Sequence, residues 1–156
     1  MSIAIGQNAP DFTLFTSDKK ELTLSSLKGK NVVLLFFPQA FTGTCTEELC
    51  HMRDNMSVYD SLNAEIIGIS VDSVFTLGKW KDDEKFGFTL CSDFNKEVSR
   101  LYGVIYENWI FGMKGVSMRA VVVIDAEGTV RYTEVVENPG NLPDLAALKS
   151  AVEQLG

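Results

Sequence analysis

Cys45 stands where a thiol is readily put to work. An apolar run ends at Pro38, a short loop (QAFTG) follows, and Cys45 then precedes the helix formers of TEEL. Thr44-Cys45-Thr46-Glu47 has the pattern of a capping box, with a hydroxyl at the N-cap and a carboxylate three residues on. That pattern predicts Thr44 as N-cap and Cys45 as the first helical residue. A thiol there lies near unpaired backbone N–H groups and the positive end of the helix dipole. Both favour the thiolate, which is the nucleophile. A free thiol with a pKa of about 8.5 is mostly protonated at neutral pH, so the placement matters. Pro38 ends the run and brings no N–H, and Gly43 lets the backbone approach a bound reactant. Thr42 lies three residues before Cys45 in a tight loop, so its hydroxyl can point at the same spot. The competing role for Cys45 is a small buried apolar residue. Its place at a helix entrance behind a glycine turn favours the nucleophile.

Other chemistry is poorly supported. Cys45, Cys50, His51 and Cys91 could ligate zinc in principle, but no paired C-x-x-C spacing supports a metal site. His51 is the only histidine. It lies roughly 9 Å along a helix from Cys45 by rise alone, a poor position for the base of a Cys/His hydrolase.

These residues need a frame. Residues 11–23 read as two short strands around the polar turn Ser17-Asp18-Lys19-Lys20. Residues 31–37 form a continuous β-branched and aromatic run, hence a buried central strand. Residues 44–62 read as one helix, with Leu49, Met52, Met56 and Tyr59 along one face. A buried strand over 64–71, a helix over 73–86, an extended piece at 88–90 and a short helix over 95–102 follow. Strands over 119–124 and 129–136 are joined by Asp125-Ala126-Glu127-Gly128 with hairpin chemistry, and a helix over 145–155 closes the chain. A βαβ unit followed by ββα predicts an α/β fold of thioredoxin-like arrangement: a mixed central sheet flanked by helices, with extra N-terminal strands. In open α/β sheets, ligand chemistry gathers where strands end and helices begin. The junction at residues 38–45 is such a place.

The chain has 156 residues, so one domain spanning 1–156 is expected. It is 46% hydrophobic and 22% charged, which leaves no case for disorder. A formal net charge of -7 argues against nucleic acid and anionic membranes as partners. The start MSIAIGQNAPDF has neither signal-peptide nor transit-peptide character, so a cytoplasmic location is expected by default. Thiols there are mostly kept reduced, which favours buried, catalytic or redox-active roles for the three cysteines over a structural framework.

Pro38, Thr42 and Cys45 together spell P-x-x-x-T-x-x-C, which resembles the active-site signature of the peroxiredoxins. The resemblance covers nearly the whole chain. GQNAPDFTL is similar to the family's opening strand, FGFTLCSDFNKEVSRLYGV to its middle segment, and MRAVVVIDAEGTVRY to the segment that supplies its active-site arginine. FFPQAFTG and the C-terminal third resemble the alkyl hydroperoxide reductase E branch. Cys50 resembles a feature of the bacterioferritin comigratory protein (Q-type) branch.

The resemblance implies a thiol peroxidase for hydrogen peroxide and organic hydroperoxides, without cofactor or metal. Cys45 would be the peroxidatic cysteine, forming a sulfenic acid. Arg119 would hold thiolate and peroxide together; by itself, an arginine opening a buried strand is equally well an edge charge. Thr42 and the backbone N–H groups of Gly43, Thr44 and Cys45 would hydrogen-bond the peroxide. Pro38 would shield the thiolate, and Glu48 would orient the arginine, although Glu47 lies beside it. Cys50 would be the resolving cysteine, with reduction by thioredoxin or a similar dithiol. In an intact helix the Cα atoms of Cys45 and Cys50 are roughly 8–9 Å apart, beyond the about 4.4–6.8 Å that a disulfide spans. Bonding therefore requires the first turns to unwind. Otherwise Cys50 is a packed helix residue and an external thiol resolves the sulfenic acid. Cys91 reads as a buried bystander. The aromatics of YENWIFGM, residues 106–113, read as packing, and the resemblance puts them near the active-site rim with substrate or dimer contacts. Monomer and homodimer both occur in the resembled branches. Two competing functions remain: a general disulfide oxidoreductase, disfavoured by the missing C-x-x-C, and a non-catalytic redox-sensing module.

Overall fold

The computed structural model describes residues 3–155. Its elements run β1 (Thr13–Thr16), β2 (Glu21–Thr23), β3 (Asn31–Phe36), α1 (Gly43–Asp54), α2 (Met56–Ser61), β4 (Ala64–Ser70), α3 (Val74–Glu84), β5 (Thr89–Ser92) and α4 (Glu97–Leu101). They continue through β6 (Ile105–Tyr106), β7 (Val116–Ser117), β8 (Ala120–Ile124), β9 (Val130–Val135) and α5 (Leu145–Glu153). Single 3-10 turns occupy Leu24–Leu27 and Ile110–Gly112.

Seven strands form one sheet in the order β2-β1-β5-β4-β3-β8-β9, and β6 pairs with β7 apart from it. The β3–β4 and β4–β5 pairs are parallel, and the other pairs in the large sheet are antiparallel. Parallel neighbours need a crossover, supplied by α1–α2 and by α3. The sheet is mixed and thioredoxin-like, as the pattern of elements implied, with β1 and β2 as the added edge.

The continuous apolar run of β3 is explained by its central position. All six of its residues are buried. Val33, Leu35 and the following Phe37 pack with Leu49, Met52, Leu77, Trp80, Leu148 and Val152 on one face. Val32, Leu34 and Phe36 pack with Ile67, Ile69, Val98, Tyr102 and Val104 on the other. A strand covered on both faces cannot alternate polar and apolar residues. Gly68 in β4 permits the tightest approach on the first face. A Cβ there would lie 2.7 Å from Leu90 Cδ2 and 3.5 Å from Leu49 Cδ2.

The expected helix over 44–62 is two helices, broken at Asn55. The Asn55 side-chain Nδ2 donates to the His51 carbonyl at 2.8 Å, the acceptor its own backbone N–H would use in a continuous helix. Its backbone N–H turns to Met52 O instead, at 3.2 Å. This is the side-chain competition that makes asparagine a poor interior helix residue. The hairpin between β8 and β9 forms as its composition suggested. Asp125 Oδ1 accepts from the N–H groups of Glu127 and Thr129, and Gly128 takes a φ of 93°.

Candidate active site

The site lies at the C-terminal end of β3, where three segments converge. The pairing of Phe36 with Ala120 carries Arg119 to the loop that follows β3. The pairing of Ala120 with Val135 carries the segment after β9 to the same end of the sheet. Helix α1 starts there too.

The helix begins two residues earlier than the capping-box pattern predicts. Thr42 is the N-cap residue, Gly43 is first in the helix, and no side chain caps it. Thr44 is therefore inside the first turn, where its Oγ1 donates to Gly140 O at 3.3 Å. Glu47 is exposed rather than folded back onto a cap. The tertiary acceptor at Gly140 draws the Thr44 hydroxyl away from the role its local sequence suggested. Cys45 becomes the third helical residue. The first helical hydrogen bond runs from Thr46 N to Thr42 O at 2.9 Å, so the N–H groups of Gly43, Thr44 and Cys45 precede the ladder.

Arg119 joins the parts. Its Nη2 donates to Cys45 Sγ at 3.3 Å and its Nη1 to Glu48 Oε1 at 2.7 Å. Its Nε and Nη2 also donate to Pro139 O at 3.1 and 2.8 Å. The three side chains are nearly sealed: Cys45 is 1% exposed, Arg119 2% and Glu48 0%. Burial works against the Arg119 charge, yet the neighbouring Cys45 and Glu48 raise its pKa on balance. Burial dominates at Glu48 and pushes its pKa up to about 7, against the pull of Arg119. Glu48 Oε2 has no hydrogen-bond partner among the described residues. Glu48 and Arg119 thus meet in a buried hydrogen-bonded pair, and Glu47 lies outside it.

The loop before the helix is held in an unusual shape. Phe41 has a φ of 67°, left-handed for a residue with a bulky side chain. Its ring is 6.2 Å from that of Trp80, which also lies 5.3 Å from Phe37 and 5.0 Å from Phe86. Thr42 Oγ1 donates to Gln39 O at 2.8 Å. Ala40 N donates to Asp72 Oδ2 at 2.8 Å, and Ser70 Oγ donates to the same oxygen at 2.7 Å. Burial raises the Asp72 pKa, while these hydrogen bonds lower it. Pro38 is buried, and Thr42 and Gly43 are exposed, so the site reaches solvent on the loop side. A Cβ placed on Gly43 would meet nothing within 4 Å, which leaves open space at the mouth.

Cys50 is elsewhere on α1. It is half-buried, and its Sγ donates to Glu84 Oε2 at 3.3 Å. Burial and that carboxylate raise its pKa. All three cysteines are free thiols. Cys91 is buried in β5 on the opposite face of the sheet from Cys45, and burial alone pushes its pKa up to about 12. The aromatic segment is surface-borne: Phe111 is 93% exposed, and Tyr106 stacks on Trp109. Burial raises the Tyr106 pKa, and the Arg119 charge works against that rise.

Pro139, Asp72 and Glu84 went unnoticed in the sequence. The Asn138-Pro139-Gly140 turn directly follows a strand paired with the arginine-bearing one, and Ser70-Val71-Asp72 closes a buried strand. Both are readable only once strand register is known. Glu84 carries no local signal at all.

A thioredoxin-like fold with a helix-entrance thiol, a guanidinium at its sulfur and free amides around it defines the class of thiol peroxidases. The comparisons agree. The AhpC/TSA family model matches residues 5–133. A Coxiella burnetii protein carrying the peroxiredoxin name bcp is 41% identical over 132 residues, covering 83% of this chain and 87% of that protein. Alkyl hydroperoxide reductase E of Mycobacterium tuberculosis is 37% identical over 143 residues, covering 90% of each. Among solved structures, peroxidoxin BcpB from Mycobacterium tuberculosis superposes with a TM-score of 0.83 at 30% identity, over 97% of this chain and 95% of that one. The bacterioferritin comigratory protein of Xanthomonas campestris gives 0.81 at 26% identity, over 92% and 90%. The chain belongs to the AhpC/TSA family and is a peroxiredoxin.

Proposed function

We propose that this peroxiredoxin is a single-domain, two-cysteine peroxidase in which Cys45 is peroxidatic and Cys50 resolves. The observation that carries the reading is the Arg119 fork, which holds Cys45 Sγ on one arm and Glu48 on the other. The Cys45 thiolate attacks the terminal oxygen of a hydroperoxide. The S–O bond forms, the O–O bond breaks, and the departing oxygen takes a proton to leave as water or an alcohol. Charge on that oxygen is met by Arg119, by the N–H groups of Gly43, Thr44 and Cys45, and by the Thr42 hydroxyl once it turns from Gln39 O. Pro38 covers the sulfur, and Glu48 aims the guanidinium. The Cys50 thiol then displaces water from the Cys45 sulfenic acid, giving a disulfide within one chain. Thioredoxin or a similar dithiol restores both thiols by exchange. A cytoplasmic setting, where such dithiols are kept reduced, fits this cycle.

Cys45→Ser is expected to abolish thioredoxin-coupled peroxide consumption. Near wild-type turnover in that variant defeats the mechanism. The intact helix and the attachment of Cys50 to Glu84 favour a second reading, in which an external thiol resolves Cys45. Mass spectrometry after one equivalent of peroxide separates the two. A loss of two hydrogens with a 45–50 linked peptide supports the first, and a persistent Cys45 sulfenic acid supports the second.

A further inference from the structure

Cys50 and Arg53 of α1 both grip Glu84. Cys50 Sγ donates to its carboxylate Oε2 at 3.3 Å, and Arg53 Nη1 donates to its backbone carbonyl at 2.6 Å. Arg53 Nη1 also lies 3.8 Å from Glu84 Oε2. Positions 50 and 53 share one face of α1 by helical spacing. Glu84 ends α3, so its carbonyl belongs to the set that a helix terminus leaves open. Two side chains from the second half of α1 are thus fastened to the last turn of α3.

That fastening bears on the resolving step, and its role there rests on Cys50 acting as the resolving thiol. We propose that Glu84 is a positioning residue for Cys50: its carboxylate holds the thiol docked on α3 as a protonated donor, and release of this contact gates disulfide formation. The step is balanced without further reagents. The Cys50 S–H bond breaks, an S–S bond forms to Cys45, and the sulfenic S–O bond breaks. The hydroxyl leaves with the proton as water, and the two sulfurs end as a disulfide. Only thiolate attacks, so a carboxylate that accepts a hydrogen bond from the thiol delays the step until the contact opens. The charged groups acting on Cys50 are Glu84 from α3 and Arg53 and Asp54 from α1. Arg53 is the single cation among them, and its contacts with Asp54 and Glu84 occupy it.

The contact also has a functional logic. A resolving thiol held back lengthens the life of the Cys45 sulfenic acid. A longer-lived sulfenic acid is open to a second peroxide and hence to sulfinic acid. Glu84 would then set the balance between recycling and over-oxidation.

The test uses Glu84→Gln, which keeps the shape and removes the charge. In a Cys45→Ser background, the pH dependence of Cys50 alkylation is followed by site-resolved mass spectrometry, with and without Glu84→Gln. The Cys50 midpoint is expected to fall by about 0.5–1 unit, a factor of roughly 3–10 in thiolate at neutral pH. In the protein with all three cysteines, the same substitution is expected to speed 45–50 disulfide formation by a similar factor and to lower the yield of Cys45 sulfinic acid. An unmoved midpoint with the disulfide still forming at the wild-type rate overturns the role of Glu84 alone. Slower disulfide formation overturns it as well, by making the carboxylate a helper rather than a restraint. Absence of any 45–50 disulfide in the wild type instead overturns the two-cysteine reading, and the gate falls with it.

Discussion

Glu48 gives the sharpest quantitative test of the buried triad. In an unfolded chain its carboxyl ionises near the ordinary value of 4.5, whereas in the fold burial holds the proton to about 7. Between those values the native state binds a proton that the unfolded state has lost. Stability therefore falls as pH rises across the window. The contribution is fully present below about pH 4.5 and gone above about pH 7. At about 1.4 kcal/mol per unit, a window of roughly 2.5 units amounts to on the order of 3 kcal/mol. Glu48→Gln is neutral at every pH and removes the titration. The assay is urea unfolding of wild type and variant under reducing conditions at half-unit steps from pH 4.5 to 8. Other carboxylates titrate in both proteins, so the informative quantity is the difference between the two unfolding free energies. It should shift by about 3 kcal/mol in favour of the variant from the acid to the alkaline end. A difference constant to within about 1 kcal/mol would mean that Glu48 ionises normally beside Arg119, and the account of the triad would be wrong.

Three further outcomes are expected. Arg119→Lys keeps a charge but loses the fork that serves Cys45, Glu48 and Pro139 together; kcat/KM for hydrogen peroxide should drop by about 10²–10³ in a stopped-flow assay. Asp72→Ala removes the oxygen on which Ala40 N–H and Ser70 Oγ now converge and leaves both donors without their acceptor. A loss of about 1–3 kcal/mol in urea unfolding should accompany weaker peroxidase activity, and unchanged activity at unchanged stability would remove Asp72 from the support of the loop. Gly68→Ala drives a methyl to 2.7 Å from Leu90 Cδ2, so thermal unfolding should show a cost of about 1–3 kcal/mol.

How far the sequence carries depends on whether a signal is local. The buried strand at 31–36, its proline stop and the thiol behind a glycine were all legible because period and punctuation are local properties. The break at Asn55 was missed because the apolar face runs on through Met56 and Tyr59, and only a side-chain amide reaching His51 O interrupts the backbone. The Thr44 cap failed because its competitor, Gly140 O, is 96 residues away in the chain. Arg119 was placed by resemblance, not by pattern. The register Phe36–Ala120 is the physical reason it arrives, and register is a property of the assembled sheet. Glu84 shows the limit most clearly, since nothing near it in sequence hints that two residues of α1 settle on it.

The indole of Trp80 packs against the aromatic rings of Phe37 and Phe41, in the segment between β3 and α1, and of Phe86 just beyond Glu84. It is 1% exposed, and its Nε1 has no hydrogen-bond partner among the described residues. The molecule therefore carries its own lamp between the loop that leads to Cys45 and the terminus of α3. Any loosening of the loop or of the α3 terminus admits water or a new dipole to that indole and changes its emission. With Trp109 replaced by phenylalanine, the single remaining tryptophan is expected to report such a loosening through its emission, without a label.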